Sequence, residues 1–177
     1  MIKILAFALS GTAALIYEVV WTRKLQAIFG STIYAASSLL SSFLLGFAFG
    51  AYAFRNVKNV RKKIVIAEIL IAIYAIALLS IFPLLYKLAG IKFKLFFAFL
   101  LLLPPSFLMG SLWPMFARKE DEERASVLYS ANSLGASLGP LLAGFFLVPK
   151  FGLGKTSLFA CLLNIIAALM VWRWVSE

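Results

Sequence analysis

The chain has 177 residues, 63% of them hydrophobic and only 14% charged, and its net charge is +10. A soluble domain is about 45–50% apolar and about 25% charged, so this composition excludes a soluble enzyme, a disordered tail and a disulfide scaffold. The sequence contains no His and a single Cys, which excludes an imidazole metal site and an internal disulfide. Basic loops between long apolar runs are typical of a polytopic membrane protein and not of a nucleic-acid-binding one.

Six apolar runs have the length of about 20 residues that a helix needs to cross a bilayer. The predicted spans are Ile2–Trp21, Thr32–Phe54, Ile64–Phe82, Phe93–Trp113, Val127–Val148 and Lys155–Val175. Aromatic residues at their ends fit the headgroup region; these are Tyr17, Trp21, Trp113, Trp172 and Trp174. Because the connections are short, we expect an all-α membrane protein, with six transmembrane helices packed as one domain over residues 1–177.

The orientation of the chain follows from its basic residues. The apolar run after Lys3 continues to Trp21 without a clear cleavage site, so we expect a retained first span rather than a signal peptide. Loops on one side hold ten Lys and Arg residues, against seven on the other. The densest cluster comprises Arg55, Lys58, Arg61, Lys62 and Lys63. Both termini are therefore predicted to be cytoplasmic, in a multi-pass protein of the inner cell membrane.

Small residues recur every four positions in three of the predicted spans. They are Ala6, Ser10 and Ala14 in the first, Ser38, Ser42, Gly46 and Gly50 in the second, and Ala131, Gly135, Gly139 and Ala143 in the fifth. Such rows let helix backbones approach closely, either for packing alone or for sliding during alternating access. Pro140 predicts a kink or local opening in the fifth helix, and Pro104-Pro105 predicts a bend in the fourth.

Two acidic residues, Glu18 and Glu68, lie within the predicted spans. A carboxylate in hydrocarbon is costly and normally faces protein or water and finds a partner. For Glu68 we expect an ion pair with the basic loop that ends at Lys63, near the cytoplasmic surface. For Glu18 two interpretations stay open, namely an interfacial pair with Arg23 or Lys24, or a role in binding a substrate or ion.

Three further side chains bring polar or sulfur atoms into the fifth and sixth spans. Asn132 and Asn164 are expected to form interhelical hydrogen bonds, and Cys161 is expected to be a small core residue. If Glu18 binds a cation, its site would also include Tyr17, Trp21 and Asn132, because a carboxylate beside an aromatic wall suits an amphiphilic cation. Gly152-x-Gly154 lacks the preceding strand of a nucleotide-binding loop and is interpreted as a turn.

The chain resembles the membrane module of spermidine synthase-like membrane proteins on two motifs. The first is Ser10-Gly11-x-x-x-Leu15-x-Tyr17-Glu18-Val19-x-Trp21-x-Arg23, followed by Phe29-Gly30-Ser31-Thr32. The second is Leu128-Tyr129-x-x-Asn132-x-x-Gly135-x-x-x-Gly139, followed by Leu147-x-Pro149-x-x-Gly152. In that family the membrane helices are often fused to a soluble aminopropyltransferase domain. No such domain is encoded here, so we expect no catalytic residues, no cofactor and no aminopropyltransferase activity.

A more distant resemblance is to one six-helix half of a major facilitator superfamily transporter. It is carried by Gly46-x-x-x-Gly50 followed by Arg55 and Arg61-Lys62-Lys63, and by Gly135-x-x-x-Gly139-Pro140-x-x-x-Gly144. The usual Asp of the first motif is missing, so its charge-relay role does not carry over. Facilitators join two six-helix halves about an axis along the membrane normal. The resemblance implies a half-facilitator-like bundle that works as a parallel homodimer.

These observations leave three functions open. The first is a homodimeric transporter or binding unit for a small molecule, such as a polyamine or another cation, with the small-residue helices and Arg23, Glu68 and Pro140 in structural or gating roles. The second is a non-transporting membrane anchor for a separate soluble enzyme, docked on the charged loops. The third is a lipid-handling protein, with the Phe-rich fourth span facing an open groove.

Overall fold

The computed structural model describes residues 1–30 and 33–173, and the described residues contain helices and no strand. The helices are α1 Ile2–Phe29, α2 Ile33–Phe54, α3 Val60–Ile81, α4 Ile91–Ala117, α5 Glu122–Leu142 and α6 Val148–Arg173. A 3₁₀ helix, Phe82–Lys87, follows α3, and a π-helical turn, Ala143–Leu147, joins α5 to α6. The all-α class is confirmed. Ser31, Thr32, Trp174 and Val175, which belong to predicted motifs and span ends, lie outside the described residues.

Five helical stretches are long and apolar enough to cross a membrane, which supports the prediction of a multi-pass membrane protein. They are Ile2–Phe29, Ile33–Phe54, Val60–Lys87, Ile91–Ala117 and Glu122–Arg173. The last stretch has 52 residues because α5 continues through the π turn into α6. Its regular geometry is interrupted at Gly152, where φ is 74° and ψ is 172°, so the turn predicted at Gly152-x-Gly154 is a break inside the helical run.

The first predicted span ended too early. Helix α1 continues eight residues past Trp21 to Phe29, and its 28 residues measure about 42 Å, more than the hydrocarbon thickness of about 30 Å. Tyr17 and Trp21 are fully buried in the bundle, so the prediction that they anchor the membrane interface is wrong. Burial against neighbouring helices decided their position, which a hydropathy pattern does not reveal.

The helices pack as closely associated pairs. Helix α1 lies against α5 and α6, α2 lies against α4, and α3 lies against both α6 and α4. The pair α1/α5 contacts the pair α2/α4 less closely. A cleft therefore forms between these two pairs, with α3 and α6 behind it.

The predicted small-residue rows are the contact lines of these pairs. A Cβ added at Gly46 or Gly50 would overlap atoms of α4, including the Phe107 carbonyl oxygen. One added at Gly135 or Gly139 would overlap carbonyl oxygens of α1. Backbone can thus approach backbone at distances that no other residue permits, and the packing interpretation of both rows is supported.

Hydroxyl groups and prolines fit into these contacts without breaking the helices. Ser42 is buried and donates to the Ser38 carbonyl at 2.7 Å and to the Phe99 carbonyl of α4 at 3.3 Å. Helix α4 is continuous through Pro104 and Pro105. Helix α5 is also continuous through Pro140 and widens into the π turn three residues later, so the local opening follows the proline instead of lying at it.

One end of the bundle collects the chain segments that sequence analysis placed in the cytoplasm. Lys3 pairs with Glu120, and the two guanidinium groups of Arg118 and Arg61 donate to the carbonyls of Val57 and Trp172 respectively. The start of α1, the α2–α3 and α4–α5 loops and the end of α6 are thereby held together. We call this the basic end.

The acidic residues before α5 include its N-cap. Asp121 caps the helix by accepting a hydrogen bond from the Arg124 N–H at 2.8 Å.

We predict that Gly50→Ala destabilises the α2–α4 pair by about 1–3 kcal/mol, since its Cβ has no space against α4 and the backbones must separate. The measurement is thermal unfolding in detergent. Gly144→Ala is the matched control, because nothing lies within 4 Å of a Cβ at that position. Equal melting temperatures for the two variants would contradict the close approach.

Candidate functional site

A cavity of about 360 Å³ occupies the cleft between α1/α5 and α2/α4. It lies in the half of the bundle nearest the basic end, between the first turns of α1 and the last turns of α2 and α4. Its lining comprises Phe7, Ser10, Gly11, Ala14, Leu15, Phe47, Ala51, Met109, Gly110, Leu112, Trp113, Tyr129, Asn132, Ser133, Ala136 and Asn164. The volume is within the range of small-molecule sites, which are about 300–1,000 Å³.

Aromatic rings form one wall of this cavity. Phe7 and Trp113 are stacked with centroids 6.0 Å apart, and Trp113 meets Tyr129 edge-on at 5.4 Å. Tyr129 is 60% exposed, so the cavity opens to the outside of the chain along α5. An aromatic wall of this kind can hold an apolar group or the face of an organic cation.

Four polar side chains interrupt the apolar lining, namely Ser10, Asn132, Ser133 and Asn164. Asn132 projects from α5 towards Gly11 of α1, and its amide makes no hydrogen bond within the described part of the chain. A half-buried amide without a protein partner is available to a ligand or water. The prediction that Asn132 is an interhelical hydrogen bonder is wrong, whereas its predicted place beside a ligand remains a proposal.

A buried polar network lies directly behind the cavity. Asn164 Nδ2 donates to Glu68 Oε2 at 2.5 Å, and the Tyr17 hydroxyl donates to Asn164 Oδ1 at 2.9 Å. Tyr17 also contacts the Cys161 sulfur at 3.3 Å. These bonds join α1, α3 and α6 through side chains alone. They confirm Asn164 as an interhelical hydrogen bonder and Cys161 as a core residue.

The expected ion pair between Glu68 and the basic loop is not formed. Glu68 is 0% exposed and faces α6 and α1, and its Oε1 has no hydrogen-bond partner among the described residues. The Ser10 hydroxyl lies beside the same carboxyl. The start of α3 at Val60 explains the error, because two helical turns separate that start from Glu68 and carry it below the loop.

Ser10 and Asn164 belong to both the cavity and the network. Both line the cavity, and both interact with Glu68. Each is almost completely buried, at 4% and 1% exposure. The carboxyl is thus separated from the cavity by a single layer of polar side chains.

Glu18 has none of the partners that the sequence offered. Its side chain is half-buried, Arg23 is exposed, and no ion pair joins Glu18 to Arg23 or Lys24 within the described ranges. Glu18 lies four residues after Ala14 and three after Leu15, both of which line the cavity. It is therefore on the cavity-side face of α1, one turn farther from the basic end.

Tyr17 and Trp21 do not line the cavity. Their rings are stacked with centroids 5.3 Å apart inside the core, and Phe43 meets Trp21 edge-on at 5.8 Å. Of the four predicted binding residues the structure brings only Asn132 to the cavity wall and Glu18 to its extension. The sequence did not indicate Phe7, Trp113 and Tyr129 as residues of a cavity wall, although Tyr129, Asn132 and Ala136 share one face of α5 by their spacing.

Comparisons with known proteins give no match: no family model, no curated protein and no solved structure corresponds to this chain.

We predict that Asn164→Ala lowers the free energy of unfolding by about 1–3 kcal/mol, because Glu68 and Tyr17 both lose their buried hydrogen-bond partner. Thermal or denaturant unfolding in detergent measures the loss. Asn132→Ala is the matched control, since the same amide is removed from a half-buried site without a bond to lose. Losses of equal size would show that the network does not stabilise the bundle.

Proposed function

We propose that the chain is a facilitator-like membrane unit that binds and transports a small amphiphilic cation in the cleft between α1/α5 and α2/α4. The observation that carries the proposal is the placement of Glu18, a half-buried carboxylate with no ion-pair partner in the described part of the chain, one helical turn beyond an aromatic cavity on the same face of α1. The apolar part of the ligand fits against Phe7, Trp113 and Tyr129, and its cationic group reaches Glu18. A polyamine or an alkylammonium has this chemistry.

The absence of a partner for Glu18 among the described residues supports a ligand-binding role for this carboxylate. Water inside a bilayer cannot compensate an isolated charge, so acidic residues in spans pair with protein groups or mark a ligand or ion pathway. Glu68 has the bond to Asn164, whereas Glu18 has no bond within residues 1–30 and 33–173. An organic cation would replace the missing partner.

The proposed unit crosses the membrane six times, with both termini on the cytoplasmic side. The support comes from the 52-residue run Glu122–Arg173, which would measure about 78 Å if straight. Its two ends both lie at the basic end, through the contacts of Glu120 with Lys3 and of Trp172 with Arg61. The run therefore folds back near Gly152 and supplies two crossings, and the cluster from Arg55 to Lys63 favours a cytoplasmic basic end.

We further propose that two copies assemble in parallel with their clefts facing each other, about an axis along the membrane normal. Helices α2 and α5, which flank the cleft, both expose small or hydroxyl side chains. These are Ser37, Ser41 and Ala48 on α2, and Ser126, Ser130, Ser133 and Ser137 on α5. Small residues favour close helix approach within a bilayer, and a facing copy would complete an enclosed pathway.

The resemblance to spermidine synthase-like membrane proteins favours a polyamine among the possible cations. This resemblance concerns the membrane module only. The proposed activity is binding and transport, without aminopropyl transfer.

We predict that single cysteines at Lys58, Lys119 and Arg173, in a Cys161→Ala background, react with a membrane-impermeant reagent from the cytoplasmic side only. Cysteines at Lys87 and Lys150 should react from the opposite side only. All five positions are exposed. Labelling of positions 58 and 173 from opposite sides would show an odd number of crossings between them and would contradict the proposed topology, in which α3, α4, α5 and α6 each cross once.

We predict that Glu18→Gln abolishes binding of benzyltrimethylammonium and uptake of labelled spermidine into proteoliposomes, with melting of the free protein unchanged, because the variant loses only the attraction to the ligand. Bound ligand raises the melting temperature by mass action, so a thermal shift measures binding.

The control is Glu122→Gln, which removes a charge from an exposed site at the start of α5. It should retain the ligand-induced shift. If Glu18→Gln instead lowers the melting temperature and Arg23→Gln restores it, Glu18 is a structural partner of Arg23 and the cation proposal fails.

A further inference from the structure

Glu68 is a buried titratable group that has no role in the proposed cation site at Glu18. Its side chain is 0% exposed, one oxygen accepts from Asn164, and the other has no hydrogen-bond partner among the described residues. The structure places no cationic group within 4 Å of it in residues 1–30 and 33–173. An ionised carboxylate in this position would have only the bonds that Asn164 and Ser10 can donate and no counter-charge among the described residues, so the arrangement suits the neutral acid.

The groups that surround Glu68 supply no competing charge. Tyr17 of α1 and Cys161 of α6 are the titratable side chains in the network. Helix α4 has no ionisable residue between Leu95 and Ala117. Lys63 lies more than one turn away on α3 itself, and Glu18 is on the cavity side of α1, one residue and about 100° from Tyr17.

A polar route connects Glu68 to the cavity. Ser10 and Asn164 both interact with the carboxyl, and both line the cavity. When the carboxylic acid ionises, its O–H bond breaks and the proton passes to cavity water by way of the Ser10 hydroxyl. The resulting carboxylate keeps the bond from Asn164 and gains one from Ser10.

We propose that Glu68 is a proton-binding site coupled to the cavity, and that one bound organic cation replaces one proton. This inference rests on the proposed cation site. Its physical basis is charge balance: a cation in the cavity supplies the counter-charge that an ionised Glu68 lacks. The two carboxyl groups counted together with the bound cation therefore have the same net charge before and after the exchange. The coupling makes the protein a proton–cation exchanger.

The proton site is tested without ligand, by infrared spectroscopy of the purified protein in lipid. A carboxylic-acid C=O band that shifts in heavy water and is absent from Glu68→Gln is expected. Glu18→Gln, which removes the other intramembrane carboxyl, should retain this band. If Glu68→Gln does not fold, Glu68→Asp should shift the band. A band that is insensitive to both Glu68 variants would overturn the proton site.

The coupling is tested with benzyltrimethylammonium, which has no proton of its own to release. Its addition to wild-type protein in weak buffer should release about one proton per bound cation, and the Glu68 band should fall. Affinity should rise about tenfold per pH unit while Glu68 is protonated, and Glu68→Gln should bind without pH dependence or proton release.

Three outcomes separate the two proposals. Binding without proton release would overturn the coupling and keep the cation site. Binding whose pH dependence persists in Glu68→Gln would also overturn it and assign the proton to another group, such as Glu18. Absence of binding to the wild-type protein would refute the proposed function, and with it the coupling, whereas the infrared band would still decide whether Glu68 holds a proton.

Discussion

Close backbone contact at glycine is the constraint on which the rest of this structure depends. Gly46 and Gly50 bring α2 onto α4, and Gly135 and Gly139 bring α5 onto α1, at distances that exclude a Cβ. Within a bilayer no hydrophobic driving force favours one helix contact over another, so these lines fix which helices pair. Each pair is then a stiff unit, and the cleft is the space that the two units leave between them.

The second set of constraints is electrostatic and acts on the other side of α1. Hydrogen bonds from Tyr17 to Asn164 and from Asn164 to Glu68 hold α1, α6 and α3 together. These bonds are directional, whereas the glycine contacts depend on shape alone. Helix α1 therefore packs by close contact on one face and by hydrogen bonds on another. Its third face, with Ala14 and Glu18, borders the cleft. One helix thus connects the packing, the buried acid and the candidate ligand site.

Helix class and pairing lines could be predicted from the sequence, because apolar length and four-residue spacing are local properties. The positions of Tyr17, Trp21 and Glu68 could not. From the sequence, the aromatic rings of Tyr17 and Trp21 near a span end and the Glu68 carboxyl five residues after Lys63 are expected at the membrane interface. In the structure all three side chains are fully buried. The placement of Tyr17 and Glu68 depends on Asn164 in α6, which is 147 and 96 residues away respectively. For the same reason, Phe7, Trp113 and Tyr129 gave no joint signal as a cavity wall.

The pairing of α1 with α5 and α6 has a consequence for biosynthesis. Helix α1 is synthesised before the helices that cover most of it, α5 and α6, and the partner of Lys3 follows 117 residues later. Helices α2 and α4 can associate in the meantime. Helix α1 must therefore remain beside the insertion machinery, or among lipids, with Ser10 and the face that contacts Gly135 and Gly139 uncovered until α5 and α6 have been synthesised. Insertion of α5 and α6 is then the step that covers α1 and assembles the buried network around Glu68.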